Sequence, residues 1–172
     1  MQLAECTPQA HSEAILRILN DVIANSTALF DYKARSPESM AGWFATKTEG
    51  RFPVIGAFEE GELLGFATYG VFRAWPAYKY TVEHSVYVAS GRRGQGVGRA
   101  LLTALVSAAE GQEYHTMVAG IVSSNVESIA LHKRLGFQYC GTVREAGFKF
   151  GRWLDLDLYQ LLLPTPAAPV DG

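Results

Sequence analysis

The chain has 172 residues, 48% of them apolar, with 15 Lys+Arg against 17 Asp+Glu and a formal net charge of −2. That length fits one domain at ~100–200 residues per domain, and the near-neutral balance excludes a globally basic nucleic-acid binder or a strongly acidic disordered chain. No uncharged apolar run approaches the ~20 residues of a membrane span. Met1–Pro8 lacks the basic start and apolar core of a signal peptide, and Cys6 and Cys140 are too few for a disulfide framework, so a cytoplasmic setting is expected.

Leu3–Cys6 reads as a short strand, and Thr7 or Ser12 could cap the helix after it. In that helix Ile15, Leu16, Ile18, Leu19, Val22 and Ile23 recur at helical spacing. Ser36-Pro37-Glu38-Ser39 opens a second helix with Pro at its first position. Phe52–Glu59 and Leu63–Tyr69 form a hairpin turned at Glu60-Gly61-Glu62, and an irregular aromatic stretch, Val71–Tyr80, leads into a strand at Thr81–Val88. Val97–Glu110 is an amphipathic helix, Thr116–Ile121 a buried strand, and Ser124–Leu135 a helix whose Ser124 and Glu127 fit a capping box. Phe137–Phe148 and Trp153–Leu162 form a final hairpin turned near Gly151, the second strand alternating Leu154, Leu156 and Leu158 with Asp155 and Asp157. The order β-α-α-β-β-β-α-β-α-β-β describes a mixed α/β domain over residues 1–163, followed by a Pro-rich, frayed tail at 164–172.

Glycine is in excess, 17 of 172 residues against ~7% on average, and the excess has an address. Arg92-Arg93-Gly94-Gln95-Gly96-Val97-Gly98-Arg99 lies between a strand and a helix. Gly94, Gly96 and Gly98 permit close backbone approach and positive φ, and the helix start offers unpaired N–H groups and a positive dipole end. That combination cradles a pyrophosphate. The dinucleotide pattern GxGxxG fails at its last glycine, and the Walker A pattern lacks its Lys-Ser/Thr. A loose glycine turn with solvated arginines remains the alternative at this level.

Arg93-x-x-Gly96-x-Gly98 resembles the Q/R-x-x-G-x-G/A pyrophosphate motif of the GCN5-related N-acetyltransferases (GNAT). Asn125-Val126-Glu127-Ser128-Ile129-Ala130-Leu131-His132-Lys133-Arg134-Leu135-Gly136-Phe137 resembles that superfamily's second motif. Thr81–Val88 and Gly147–Trp153 are similar to the phosphinothricin and methionine sulfoximine acetyltransferase subfamily. The resemblance implies the GNAT fold, a mixed central sheet with splayed fourth and fifth strands and helices on both faces. It also implies acetyl transfer from acetyl-CoA, as cosubstrate, to the α-amine of a small amino-acid analogue.

By the same resemblance, Val86, Tyr87, Val88, Arg93, Gly94, Gln95, Gly96, Val97, Gly98, Asn125 and Ser128 would bind the cofactor, with backbone at Val86 and Val88 polarising the thioester. Phe30, Arg73, Trp75, Tyr78, Glu83, His84, Ser85 and Tyr87 would line the substrate site. Period-two alternation puts Thr81, Glu83, Ser85 and Tyr87 on one strand face. A carboxylate there should be desolvated and its pKa raised, so Glu83 is the candidate general base; a Glu satisfied by a nearby Arg or backbone is the bland alternative. His132 stands where the superfamily usually has the tyrosine that protonates the departing thiolate. An imidazole could do the same, or merely pack beneath the cofactor.

The subfamily's phosphinothricin enzymes of the herbicide-resistance type usually carry a second basic residue two positions after the first. Trp75 stands there instead, which favours methionine sulfoximine or sulfone, whose side-chain end is neutral. A different amine acceptor (a polyamine, an aminoglycoside or a protein N-terminus) and a non-catalytic acyl-CoA-binding domain stay open. The resemblance implies a homodimer. No metal-ligand spacing is present, and no nucleic-acid or membrane partner is expected.

Overall fold

In the computed structural model, which describes residues 1–171, the elements follow the order read from the sequence. They are β1 (Gln2–Glu5), α1 (Pro8–Asn25), α2 (Ser39–Glu49), β2 (Val54–Glu59), β3 (Glu62–Val71), β4 (Thr81–Val88), α3 (Val97–Gly111), β5 (Thr116–Val122), α4 (Val126–Arg134), β6 (Gln138–Lys149) and β7 (Arg152–Leu162). The chain gathers into two compact units, Met1–Gly70 with Ser85–Leu105, and Val71–His84 with Val106 onward. The stretch 1–163 expected as one domain contains both, and β4 and α3 each contribute residues to both. Among the described residues no helix is long and apolar enough to cross a membrane.

In the first unit, antiparallel β1, β2 and β3 lie in that order, followed by the C-terminal half of β4. Glu60 and Gly61, with φ of 50° and 83°, make the two-residue turn that matches strand twist. Thr7, not Ser12, caps α1 by accepting the Ala10 N–H, and all six apolar residues of the helical pattern are buried. Burying such side chains contributes ~1.5–3 kcal/mol each, which makes this stripe the anchor of the unit. It packs with Met40 and Phe44 of α2 and with Phe66 of β3, while Trp43 meets Phe44 and Phe66 edge-on. Helix α2 begins at Ser39, so Pro37 falls in the preceding turn, where Ser36 carbonyl accepts from Ser39.

The second unit holds the N-terminal half of β4, then β5, β7 and β6 in sheet order. The β4–β5 pair is parallel, with Thr81, Val82 and Glu83 opposite Thr116, Met117 and Val118; β5–β7 and β7–β6 are antiparallel. Where β6 shifts register between Val143 and Gly147, Asp155 of β7 accepts the Glu145 N–H at 2.8 Å. Asp157 likewise accepts from Ser123 and Thr142, so the polar half of the Leu/Asp alternation serves hydrogen bonds rather than bare solvent. Of the expected tail, Gly172 lies outside the described residues. Before it, the Thr165 hydroxyl donates to Tyr114 carbonyl, and Val170 N–H donates to the Tyr80 hydroxyl.

Gly65 marks a close approach in the first unit. A Cβ there would lie 2.6 Å from Tyr87 carbonyl oxygen and 3.1 Å from Val88 Cα, so only glycine lets β3 seat the end of β4. Gly65→Ala should therefore destabilise the protein by ~1–3 kcal/mol in urea unfolding. Gly42→Ala, inside α2 with open space at its Cβ position, should be neutral or stabilise by up to ~1 kcal/mol.

Candidate active site

The glycine turn lies in the first unit. Gly94 and Gly96 have φ of 75° and 81°, and open space surrounds the Cβ position at each, so conformation rather than crowding demands glycine there. Gly98 departs from expectation: it lies inside α3, which begins at Val97, and the third left-handed glycine of the turn is Gly91. Gln95 closes the loop by donating to Gly91 carbonyl at 3.1 Å. The first helical bond of α3 runs from Ala100 N–H to Gly96 carbonyl, leaving the N–H groups just ahead of it without an intrahelical acceptor. The arginines divide. Arg92 is held by Glu62 at 2.6 Å and Glu59 at 3.9 Å, whereas Arg93 and Arg99 are exposed and belong to no ion pair of the described residues. Val86 and Val88, of the same unit, are half-buried.

In the second unit, the end of the β4–β5 ladder sets Glu83. Its side chain is exposed overall, yet partial withdrawal of the carboxyl from water holds it above the usual carboxylate range, and the Arg73 guanidinium opposes that shift. Glu83 enters no salt bridge or hydrogen bond among the described residues. Gly120 of β5 makes room for it, because a Cβ there would stand 3.3 Å from Glu83 Oε1. Arg73 lies over the Phe72 ring, which meets Tyr78 edge to face across a 3-10 turn at Pro76–Tyr78. Trp75 precedes that turn and is 74% exposed. Phe30, Ser85 and Tyr87 belong to the first unit, where Tyr87 packs on Phe66.

Helix α4 carries the third group of residues. Asn125, not Ser124, is its N-cap: its side-chain oxygen accepts the Ser128 N–H, and no Ser124–Glu127 box forms. At the other end Gly136, with φ of 90°, closes a Schellman motif in which Phe137 N–H bonds His132 carbonyl and Gly136 N–H bonds Lys133 carbonyl. The side-chain contact of that motif is Phe137 on His132, at 5.0 Å between centroids. His132 is 3% exposed and is the buried residue of α4. Its Nδ1–H donates to Ser128 carbonyl at 2.7 Å, with the Ser128 hydroxyl at 3.4 Å, and its Nε2 lies 3.1 Å from Nε2 of His84. Burial pushes both imidazoles below the ordinary histidine range; the facing His132 adds to the shift of His84, while the Ser128 carbonyl opposes that of His132.

Arg73 thus acts electrostatically on Glu83 and lies over Phe72, which meets Tyr78, while His84 separately meets His132. His84, expected along the substrate site, faces α4 because it alternates with Glu83 on the strand. Sequence reasoning missed Gly65, Gly120 and the His84–His132 pair. A glycine within an otherwise strand-like run was the available signal for the first two.

A family model, Acetyltransferase (GNAT) domain, matches residues 9–158. The L-methionine sulfoximine/L-methionine sulfone acetyltransferase of Pseudomonas aeruginosa is 45% identical over 157 residues, 90% of this chain and 91% of that protein. A solved chain from Acinetobacter baylyi superposes with a TM-score of 0.98 at 57% identity, covering 99% of this chain and 96% of that one. A phosphinothricin acetyltransferase from Sinorhizobium meliloti, solved in complex with acetyl-CoA, gives 0.92 at 34% identity, with 98% and 91% covered.

The division of the arginines can be read in binding. In calorimetric titration with CoA, Arg93→Ala should weaken affinity about 10-fold, the loss of one charge-assisted contact, while Arg92→Ala should cost less than about 3-fold.

Proposed function

The chain belongs to the GNAT acetyltransferases and is an acetyl-CoA-dependent N-acetyltransferase, and from that premise we propose that its acceptor is the α-amine of a small amino-acid analogue, methionine sulfoximine or sulfone before phosphinothricin. The carrying observation is the Arg73 guanidinium, which lies over Phe72 beside Tyr78 and acts electrostatically on Glu83. One guanidinium suits one α-carboxylate, and Trp75 in place of a second base suits a neutral side-chain end. The 45% identity to the P. aeruginosa sulfoximine and sulfone enzyme supports the same choice.

The residues present fit acetyl-CoA. The left-handed glycines of the turn, the open start of α3 and unpaired Arg93 suit its pyrophosphate, with Asn125 and Ser128 on the arm. When bound, it supplies the thioester carbonyl that is attacked. Glu83 takes a proton from the substrate ammonium, directly or through water, and its raised pKa makes it a stronger base than a solvated carboxylate. Backbone N–H groups at Val86 and Val88 would polarise that carbonyl, and His132 would supply the proton for the departing thiolate. The protein works as a homodimer; the exposed apolar residues Tyr139, Val143, Phe148 and Trp153 of the final hairpin support that reading.

A thiol-release assay with acetyl-CoA should show turnover with methionine sulfoximine and sulfone, weaker turnover with phosphinothricin, and none with polyamines or aminoglycosides. Release with those amines alone would overturn the substrate choice, and CoA binding without release for any amine would favour a sensor. Glu83→Gln should fold normally and lose ~10²–10⁴-fold in kcat.

The pH dependence carries a sign. The active form is the ionised carboxylate, so kcat/KM rises with pH, through a midpoint above the ordinary carboxylate range. Arg73→Ala removes the cation that lowers this pKa, so the midpoint should move to higher pH while KM for the amine rises. An unchanged or lowered midpoint would separate Arg73 from Glu83.

A further inference from the structure

Strand β5 is buried from Met117 to Val122 except at Gly120, which is exposed. The conformation there does not ask for glycine, since the φ of Gly120 lies outside the left-handed region. Crowding by backbone does not ask for it either. The three atoms nearest to a Cβ at this position are all side-chain atoms: Glu83 Oε1 at 3.3 Å and the two Leu156 methyls at 3.5 and 3.6 Å. The methyls are at ordinary van der Waals distance, so the carboxyl oxygen is the one close neighbour. Glycine inside a strand weakens it and marks a close approach. At Gly65 backbone makes that approach; at Gly120 a carboxylate does.

Register produces the approach. Glu83 stands opposite Val118 in the parallel ladder, and Gly120 lies two residues further along β5, on the same face. The Glu83 side chain reaches along β5 and brings Oε1 to the edge of the gap that the missing side chain leaves. Leu156 of β7, the partner of Val122, borders the gap on its other side. Of the charged groups around it, Arg73 acts on Glu83 from the stretch before β4. Val118, Gly120 and Leu156 offer no charge, and His84 with His132 lies on the opposite face of β4. Asp155 and Asp157 alternate away from Leu156 and accept from Glu145 N–H and from Ser123 and Thr142.

We propose that Gly120 is a positioning residue for the general base: the gap over its backbone seats the Glu83 carboxylate and keeps an oxygen of it open to the acceptor amine. The proposal rests on the base role given above to Glu83. A carboxylate takes a proton from the ammonium only within hydrogen-bond reach, ~2.6–3.2 Å, directly or through one water. A methyl 3.3 Å from Oε1 is tighter than ordinary contact, so one of the two must give way. Strand β5 is held on both sides, by β4 and by β7, whereas the carboxylate ends a flexible side chain. The carboxylate is therefore what moves. Because the gap is exposed, a side chain at position 120 would also take the space through which water or the amine reaches Oε1.

The test is steady-state acetyl transfer to methionine sulfoximine by Gly120→Ala, Gly120→Ser and Gly120→Val. Alanine should leave the protein at least as stable in urea as the parent, because the backbone conformation suits any residue. It should nonetheless lower kcat at least ~5-fold, and valine should lower it further, with KM for acetyl-CoA within about 2-fold of the parent. Serine fills the same space but donates a hydrogen bond to the carboxylate, which favours the charged form. The titration of Glu83, followed by carboxyl-carbon NMR and by the kcat/KM profile, should therefore lie at least ~0.5 pH unit lower in Gly120→Ser than in Gly120→Ala. Beside Glu83→Gln, Gly120→Ala should cost no further activity. Parental kcat in Gly120→Ala, equal midpoints in the alanine and serine variants, or a full loss from Gly120→Ala beside Glu83→Gln would each overturn the seat. Lower stability in Gly120→Ala would make the glycine a packing requirement and overturn it as well. If Glu83→Gln alone turns over at the parental rate, the base reading beneath the proposal falls instead.

Discussion

Strand β4 is tied to β5 through Thr81, Val82 and Glu83 alone, and Tyr80 carbonyl extends the tie by accepting from His115 and Thr116. This short parallel ladder sets the register on which the second unit's chemistry depends. Side chains alternate along a strand, so a slip of one residue would exchange faces. Glu83 would then enter the packed side against α4, and His84 would stand beside Arg73. A buried carboxylate opposite His132 and an unpaired imidazole in the open would be two faults from one slip. Val82 and Met117, 1% and 0% exposed, lock the pair against it.

One physical cause acts on both faces with opposite results. Withdrawal from water disfavours whichever form is charged. On the open side this lifts the carboxyl of Glu83 and makes it more willing to hold a proton. On the packed side it lowers His84 and His132 and keeps them neutral, so that each has one N–H and one lone pair to place. Arg73 tempers the first effect and Ser128 carbonyl the second. The strand thereby presents a carboxylate and a neutral imidazole pair at adjacent positions on opposite faces.

Much of this was legible from residues alone. The element order followed from hydrophobic period and from turn glycines, as in the six-residue apolar stripe of α1 and the turns at Gly61 and Gly151. Ends were less legible, because capping is a contest among neighbours: Thr7 prevailed over Ser12, Asn125 over Ser124, and the helix after Pro37 waited until Ser39. The register shifts of β6 left no mark in its alternation, since the aspartates that stabilise them lie on the other strand. Glu83 was readable because an acid in an apolar strand is locally odd. The partner of His84 was not, because it lies 48 residues away and only tertiary packing brings it near. Arg92 looked like part of the phosphate cradle, but its charge is met by the hairpin acids Glu59 and Glu62.

Helix α4 is nine residues long, too short to persist by propensity alone. It is fastened at one end by Asn125 oxygen on Ser128 N–H and at the other by the Gly136–Phe137 closure beneath His132. A ligand that drew the Asn125 oxygen away would loosen the first fastening, at a cost of ~1 kcal/mol, the worth of an N-cap. One that took only the amide nitrogen's hydrogens would leave it whole. The helix therefore discriminates between donors and acceptors on whatever lies at its start: it charges a toll for accepting a hydrogen bond and none for giving one.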